Sequence, residues 1–346
     1  MSEPEIKRRL VHGVHTSTMD ARPAAAGPTA QGKARTVGWH EISEYQRDNK
    51  YILSGYRPER ASYHEILTSL TFLHNETCNV YTHLAGALLL PLIAAVFMQV
   101  LSEPQFIDVS GTDHVMFGIF FWSAECCLIF SATYHLVGPH SHDVEQFWHR
   151  MDLLGIVIVT VGTFIPGIYY IFTCEPSLQK LHWVIIVTSG SATAALISIP
   201  KFRTLRWRKA RVSAYVALGA SAFIPLLHGV QLYGLEYMLQ YSGMKWYLLE
   251  LVLYGGGAGL YASRTPERFA PGKFDIWGSS HQIFHVCILC AMLLIELAKG
   301  SKQQACHDLL ALNSLILSNF LECSGYINFF LLGSSVPTQT YSKSTA

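Results

Sequence analysis

The chain has 346 residues, of which half are hydrophobic and only 14% charged, with a net charge of +1. Soluble domains carry about 25% charged residues, so this composition leaves too little polar surface to cover a soluble core. The near-neutral charge says nothing about partners, and no run of basic and aromatic residues resembles a nucleic-acid surface.

The first 60 residues hold ten Lys or Arg, have no apolar segment of signal-peptide type, and are rich in Ala, Pro and Gly over 21–38. That pattern predicts a cytosolic, largely disordered tail over 1–60. After it the apolar residues fall in blocks long enough for a membrane helix, which needs about 20 residues. The candidate spans are 81–101, 114–137, 151–173, 181–200, 211–230, 246–262 and 280–298. The expected fold is an all-α, seven-transmembrane helical bundle over 61–300. Within the sixth span, GGGAG at 255–259 lacks the strand–turn–helix setting of a phosphate loop and predicts close helix packing. Cys287 and Cys290 form a CxxC inside the seventh span, with no second pair, and read as core residues. Residues 301–346 form an extension; 309–333 is apolar enough to touch a membrane but contains Asn313, Asn319, Glu322 and Asn328. An eighth crossing, a re-entrant segment and an extension outside the bundle are all compatible with it.

Orientation follows from the basic residues. The tail and every second loop together carry 20 of the 25 Lys and Arg, the other side five. Positive charge marks the cytosolic side, so the amino terminus is cytosolic and the carboxyl terminus emerges on the far side. The sequon Asn75-Glu76-Thr77, in HNETCNVYTH before the first span, therefore lies on the cytosolic side, away from glycosylation. Asn75 or Thr77 can instead cap the first helix.

The same topology layers the ionisable residues. His135 ends the second span, Asp152 lies in the first turn of the third, and His281 and His285 lie in the first two turns of the seventh. His281 and His285 are four apart and share a helix face, about 6 Å along the axis. Ser131 and His135 have the same relation. Two histidines at this spacing, taken alone, are more often hydrogen-bonded core residues than ligands. A third histidine would complete a three-nitrogen site with an open fourth position, suited to zinc and able to activate water. His135 can fill that place, as can His140, His142 or His149 of the second loop. Asp152 would then serve as general base or orient a ligand imidazole. His182 and His228, near the other ends of the fourth and fifth spans, read as interfacial residues.

YILSGYRP (51–58), HNETCNVYTHLAG (74–86), SATYH (131–135), DLLGI (152–156), YASRTPERFAPGKFD (261–275) and SSHQIFHV (279–286) occur in this order. Together they closely resemble the progestin and adipoQ receptor family, related to hemolysin III proteins, over about residues 40–298. Its members include adiponectin receptors and fungal proteins of zinc and lipid homeostasis. The resemblance implies a seven-helix receptor-like fold with a cytosolic amino terminus. It implies zinc on His135, His281 and His285, an acid at Asp152 beside the metal, and a site serine at Ser131. It gives Asn75, Glu76, Thr77, Asn79 and His83 a supporting task near the metal or in the bundle. It also implies hydrolysis of a ceramide-like lipid amide. The alternative is a receptor for an extracellular ligand whose zinc is structural, without turnover. Either would be a multi-pass protein of the plasma membrane or endoplasmic reticulum.

Overall fold

The structure, a computed structural model, describes residues 34–103, 109–172, 175–203, 205–221, 223–240 and 242–299. The extension over 301–346 and the first 33 residues of the expected tail lie outside the described residues. Each expected span falls on helix. They are α2 (Thr77–Leu101), α3 (Gly111–Val137), α4 (His142–Ile171), α5 (Pro176–Ser198), α6 (Arg208–Ala220) with α7 (Phe223–Tyr233), α9 (Met244–Ser263) and α10 (Ser280–Lys299). Two short helices, α1 (Tyr63–Thr68) and α8 (Leu235–Gln240), were not foreseen. Among the described residues, β structure is confined to an antiparallel bridge between Val37 and Tyr56.

Among the described residues, five helical stretches are long and apolar enough to cross a membrane: α2, α3, α4, α5 and the 209–233 stretch spanning α6 and α7. In α10 the described apolar run is the shorter Ser280–Leu293, and in α9 Lys245, Glu250 and three clustered glycines dilute the apolar character. Outward faces carry side chains such as Leu88, Leu92, Trp122, Val184 and Val216, all more than 60% exposed. Water would not tolerate such a belt; hydrocarbon does. The protein is an integral membrane protein.

Helix order is sequential, with α2 against α3, α3 against α4 and α4 against α5; α9 pairs with α10, and α10 returns to α2. That return brings the start of α10 beside the end of α3. One apolar core joins α2, α3 and α10 through Phe97, Phe117, Phe120, Leu128 and Ile288; a second joins α4 to α9 through Ile168, Phe172, Ile186, Leu226 and Met244. Small residues allow the tightest seams. A Cβ at Gly162 of α4 would collide with the Ser123 side chain on α3. Of the GGGAG run only Gly257 lies at a seam, where a Cβ would come within 3.0 Å of Cys287 and Phe284 on α10. Gly255, Gly256 and Gly259 have open space around their Cα, so close packing is the role of one glycine rather than of the run. Cys287 and Cys290 are free thiols, half-buried.

Three features were not foreseen. Helix α4 starts at His142, nine residues before the expected span, because HDVEQFWHR is helical but too polar to read as membrane. Asp152 therefore sits about three turns into α4 instead of in its first turn. His182 Nε2 lies 3.1 Å from His228 Nδ1, and His182 is buried. Residues 35–57, within the described part of the tail, pack on the 264–280 loop. The Asp275 carboxylate accepts from Leu53 N (2.9 Å) and Ser54 Oγ (2.6 Å), and Asn49 donates to Glu267 at 3.0 Å. Gly55, at φ +80°, bends the segment so that its carbonyl accepts from Asn75 N at 2.8 Å. A side chain there would strain the backbone and meet Ile276.

Gly162→Ala should lower stability by about 1–3 kcal/mol, the usual cost of overpacking. The check is the thermal midpoint in detergent, with Ser123→Gly in the same background expected to recover part of the loss.

Candidate metal centre

Each histidine reaches the site from a helix end. His135 lies in the last turn of α3, whose far end is set by a reciprocal cap: Asp113 N donates to Ser110 Oγ (3.3 Å) and Ser110 N to Asp113 Oδ2 (2.8 Å). His281 and His285 occupy the first two turns of α10. The fully buried Glu267 carboxylate accepts from the Ser280 amide at 2.8 Å and from its hydroxyl, so a charge of the right sign holds that helix start.

The three rings form a triangle with centroid separations of 4.9, 4.8 and 4.9 Å. One nitrogen from each lies within 4.8 Å of the others. His135 and His285 are buried and His281 is half-buried. His135 Nδ1 donates to Glu76 Oε2 at 2.7 Å, which assigns the tautomer whose Nε2 carries a lone pair. That Nε2 is buried and has no hydrogen-bond partner. An unpartnered buried acceptor is costly unless something binds it. Three imidazoles with one such nitrogen are a donor set that fits a borderline divalent ion.

Glu76 is the residue whose role the sequence left open. It stands at the start of α2 without capping it, and neither Asn75 nor Thr77 caps α2 with its side chain. Thr77 Oγ1 accepts from the preceding His74 N at 2.9 Å, and the Asn75 carbonyl accepts from Gln282 Nε2 at 3.2 Å. Burial opposes the charged form of Glu76, but the hydrogen bond from His135 outweighs it. Its carboxyl is held well below the usual carboxylate range. Asn79 Nδ2 donates to the same oxygen at 2.7 Å. Beside them, burial and the nearby Arg57 cation pull His74 down to about 3, so its ring is neutral and Nδ1 accepts from Glu76 N at 3.2 Å.

His83, to which the resemblance gave only a supporting task, packs directly against the triangle. Its ring stacks on His285 at 3.8 Å and 10°, its Nδ1 lies 2.7 Å from Ser131 Oγ, and its buried Nε2 has no partner. The signal was present: Glu76, Asn79 and His83 are spaced i, i+3, i+7 and share one face of α2. Ser131 therefore bonds to His83 and not to a histidine of the triangle, while also neighbouring Asp152.

A cavity of about 570 Å³ opens beside the triangle, lined by Glu76, His135, Asp152, Tyr261, His281 and Phe284 among others. Asp152 thus shares the space that His135 and His281 line, with His135 and His149 as neighbours. Of the alternative ligands, His142 and His149 line this cavity away from the triangle, and His140 stacks on Tyr63 at 4.3 Å.

A family model described as Haemolysin-III related matches residues 71–295. The chain is 36% identical over 296 residues to ADIPOR-like receptor IZH2 of Saccharomyces cerevisiae, covering 84% of this chain and 90% of the yeast protein. It is 32% identical to the Adiponectin receptor protein of Drosophila melanogaster, over 84% of this chain and 66% of the fly protein. It is 30% identical to Heptahelical transmembrane protein 5 of Arabidopsis thaliana, over 84% and 97%.

If Glu76 orients His135, Glu76→Gln should weaken metal binding by about 10–100-fold, the usual effect of removing the partner of a ligating imidazole. Chelator competition on the purified protein measures this, and an unchanged affinity would remove Glu76 from that role.

Proposed function

The chain belongs to the haemolysin-III-related family, and on that premise we propose a zinc-dependent membrane amidase acting on a ceramide-like lipid. In this reading residues 61–300 form seven crossings, with residues 1–60 cytosolic and the carboxyl-terminal segment on the far side. The excess of Lys and Arg in the tail and alternate loops supports that orientation. The observation that carries the reading is the buried triangle of His135, His281 and His285 opening on a cavity that also holds a carboxylate.

These three histidines would hold zinc, which when bound supplies Lewis acidity to a carbonyl oxygen. Glu76 keeps His135 in the ligating tautomer, and Thr82 Oγ1, 3.4 Å from His285 Nδ1, does the same for His285. Leu153, Ile156 and Phe284 give the cavity an apolar wall for acyl chains entering from the bilayer. Asp152 accepts the proton of the attacking water and returns it to the amide nitrogen as the C–N bond breaks, leaving a fatty acid and an amine. Ser131, bonded to His83 and next to Asp152, steadies that carboxylate.

A second reading, a ligand receptor with structural zinc, is supported by the names of the yeast and fly relatives, both called receptors. In that case the triangle ties α3 to α10 and a ligand shifts the helices without turnover.

Purified wild type should contain zinc and release fatty acid from ceramide, and His281→Ala should lose the metal. Asp152→Asn separates the readings: the amidase loses hydrolysis by at least about 100-fold, the scale of a general base, while keeping zinc and fold. Zinc-loaded wild type that releases no fatty acid leaves only the receptor.

A further inference from the structure

The helix that delivers His135 ends at a proline. In an α-helix the carbonyl of residue i accepts from the N–H of residue i+4. For His135 that residue is Pro139, which has no N–H. Gly138 keeps helical angles (φ −48°, ψ −40°), so position 139 faces the carbonyl it cannot serve. Leu136 loses its partner as well, because His140 N donates to Val137 O at 2.9 Å.

The missing donors come from 78 residues upstream. Arg57 Nη2 donates to His135 O at 2.6 Å, and Nη1 to Leu136 O at 2.9 Å and to Ser69 Oγ at 2.8 Å. Arg57 is only 5% exposed. A guanidinium suits the place for two reasons. Its rigid fork reaches two adjacent carbonyls at once, and its charge faces the negative end of the helix dipole. Burial lowers its pKa to about 10, so it is still a cation at neutral pH. The backbone around it is fixed in turn, by Gln46 Nε2 donating to Arg57 O at 3.0 Å and by the Val37–Tyr56 bridge.

We propose that Arg57 is a positioning residue for the metal centre. Standing in for the backbone donor that Pro139 lacks, it fixes the last turn of α3, and so the aim of His135, and couples the amino-terminal segment to metal affinity. The inference rests on reading the histidine triangle as a metal site. His135 is then held twice, at its ring by Glu76 and at its carbonyl by Arg57. Neither contact touches the metal-facing nitrogen.

The test is the zinc dissociation constant of the full chain in detergent, by chelator competition, at a temperature where every variant is folded. Arg57→Met should bind about 10–100-fold more weakly than wild type. Adding Pro139→Ala restores an N–H opposite the His135 carbonyl and should recover about three- to tenfold, the worth of one hydrogen bond. Met238→Ala, a fully buried site in α8, should lower the thermal midpoint without changing affinity. Arg57→Lys, which keeps the charge but not the fork, should fall between wild type and Arg57→Met, and carries the comparison if Arg57→Met does not fold. Wild-type affinity in Arg57→Met, or in Arg57→Lys should that stand in for it, overturns the proposal. So does a loss matched by Met238→Ala, or no recovery from Pro139→Ala. A wild type that binds zinc with unaffected variants sinks this proposal alone, whereas a wild type that binds none sinks the metal-site reading first.

Discussion

The hydrogen bond between His135 and Glu76 joins the end of α3 to the start of α2, and much of the site depends on it. It sets the ring rotation and tautomer of His135, leaves Nε2 free, and favours the charged form of the Glu76 carboxyl against the opposing effect of burial. Burying a charge or an unpartnered nitrogen in a membrane protein is expensive. Here the carboxylate and the Nδ1–H of the imidazole satisfy one another, and the cost that remains is that of the single unpartnered Nε2 beside the other two histidines.

The surrounding polar groups serve the same end. Residues 35–57 and the 264–280 loop form a layer over the helix ends in which buried carboxylates meet backbone and side-chain donors: Asp275 with Leu53 N and Ser54 Oγ, Glu267 with Ser280 N and Asn49 Nδ2. Helix termini expose unpaired backbone groups, and this layer pairs them away from the lipid. The histidines are placed on those termini, so whatever fixes the termini also fixes the site. Below that layer the bundle is held by apolar contacts and by glycine seams such as Gly162 against Ser123, which bring α3 and α4 close enough for Asp152 and Ser131 to be neighbours.

Several relations could be read from the chain alone because they are local. Apolar blocks of about 20 residues mark helices, since hydrocarbon forces the backbone to satisfy itself within each segment. Spacing of four places His281 and His285 on one face, and the face shared by Glu76, Asn79 and His83 is visible in the same way once it is sought. Family motifs in order pointed to the kinship that the comparisons show.

The topology already put His135, Asp152, His281 and His285 at one depth; what required the tertiary structure is which polar group each of them meets. No periodicity says that Glu76 would meet His135, that His83 would stack on His285 and take Ser131, or that Arg57 would supply the donor that Pro139 withholds. The polar start of α4 was missed because membrane helices are recognised by hydrophobicity, and an amphipathic extension lacks it. Helices form from neighbours along the chain, so the sequence determined where they lie. Hydrogen-bond partners across helices depend on how those helices pack, so only the folded bundle decided which imidazole faced which acid.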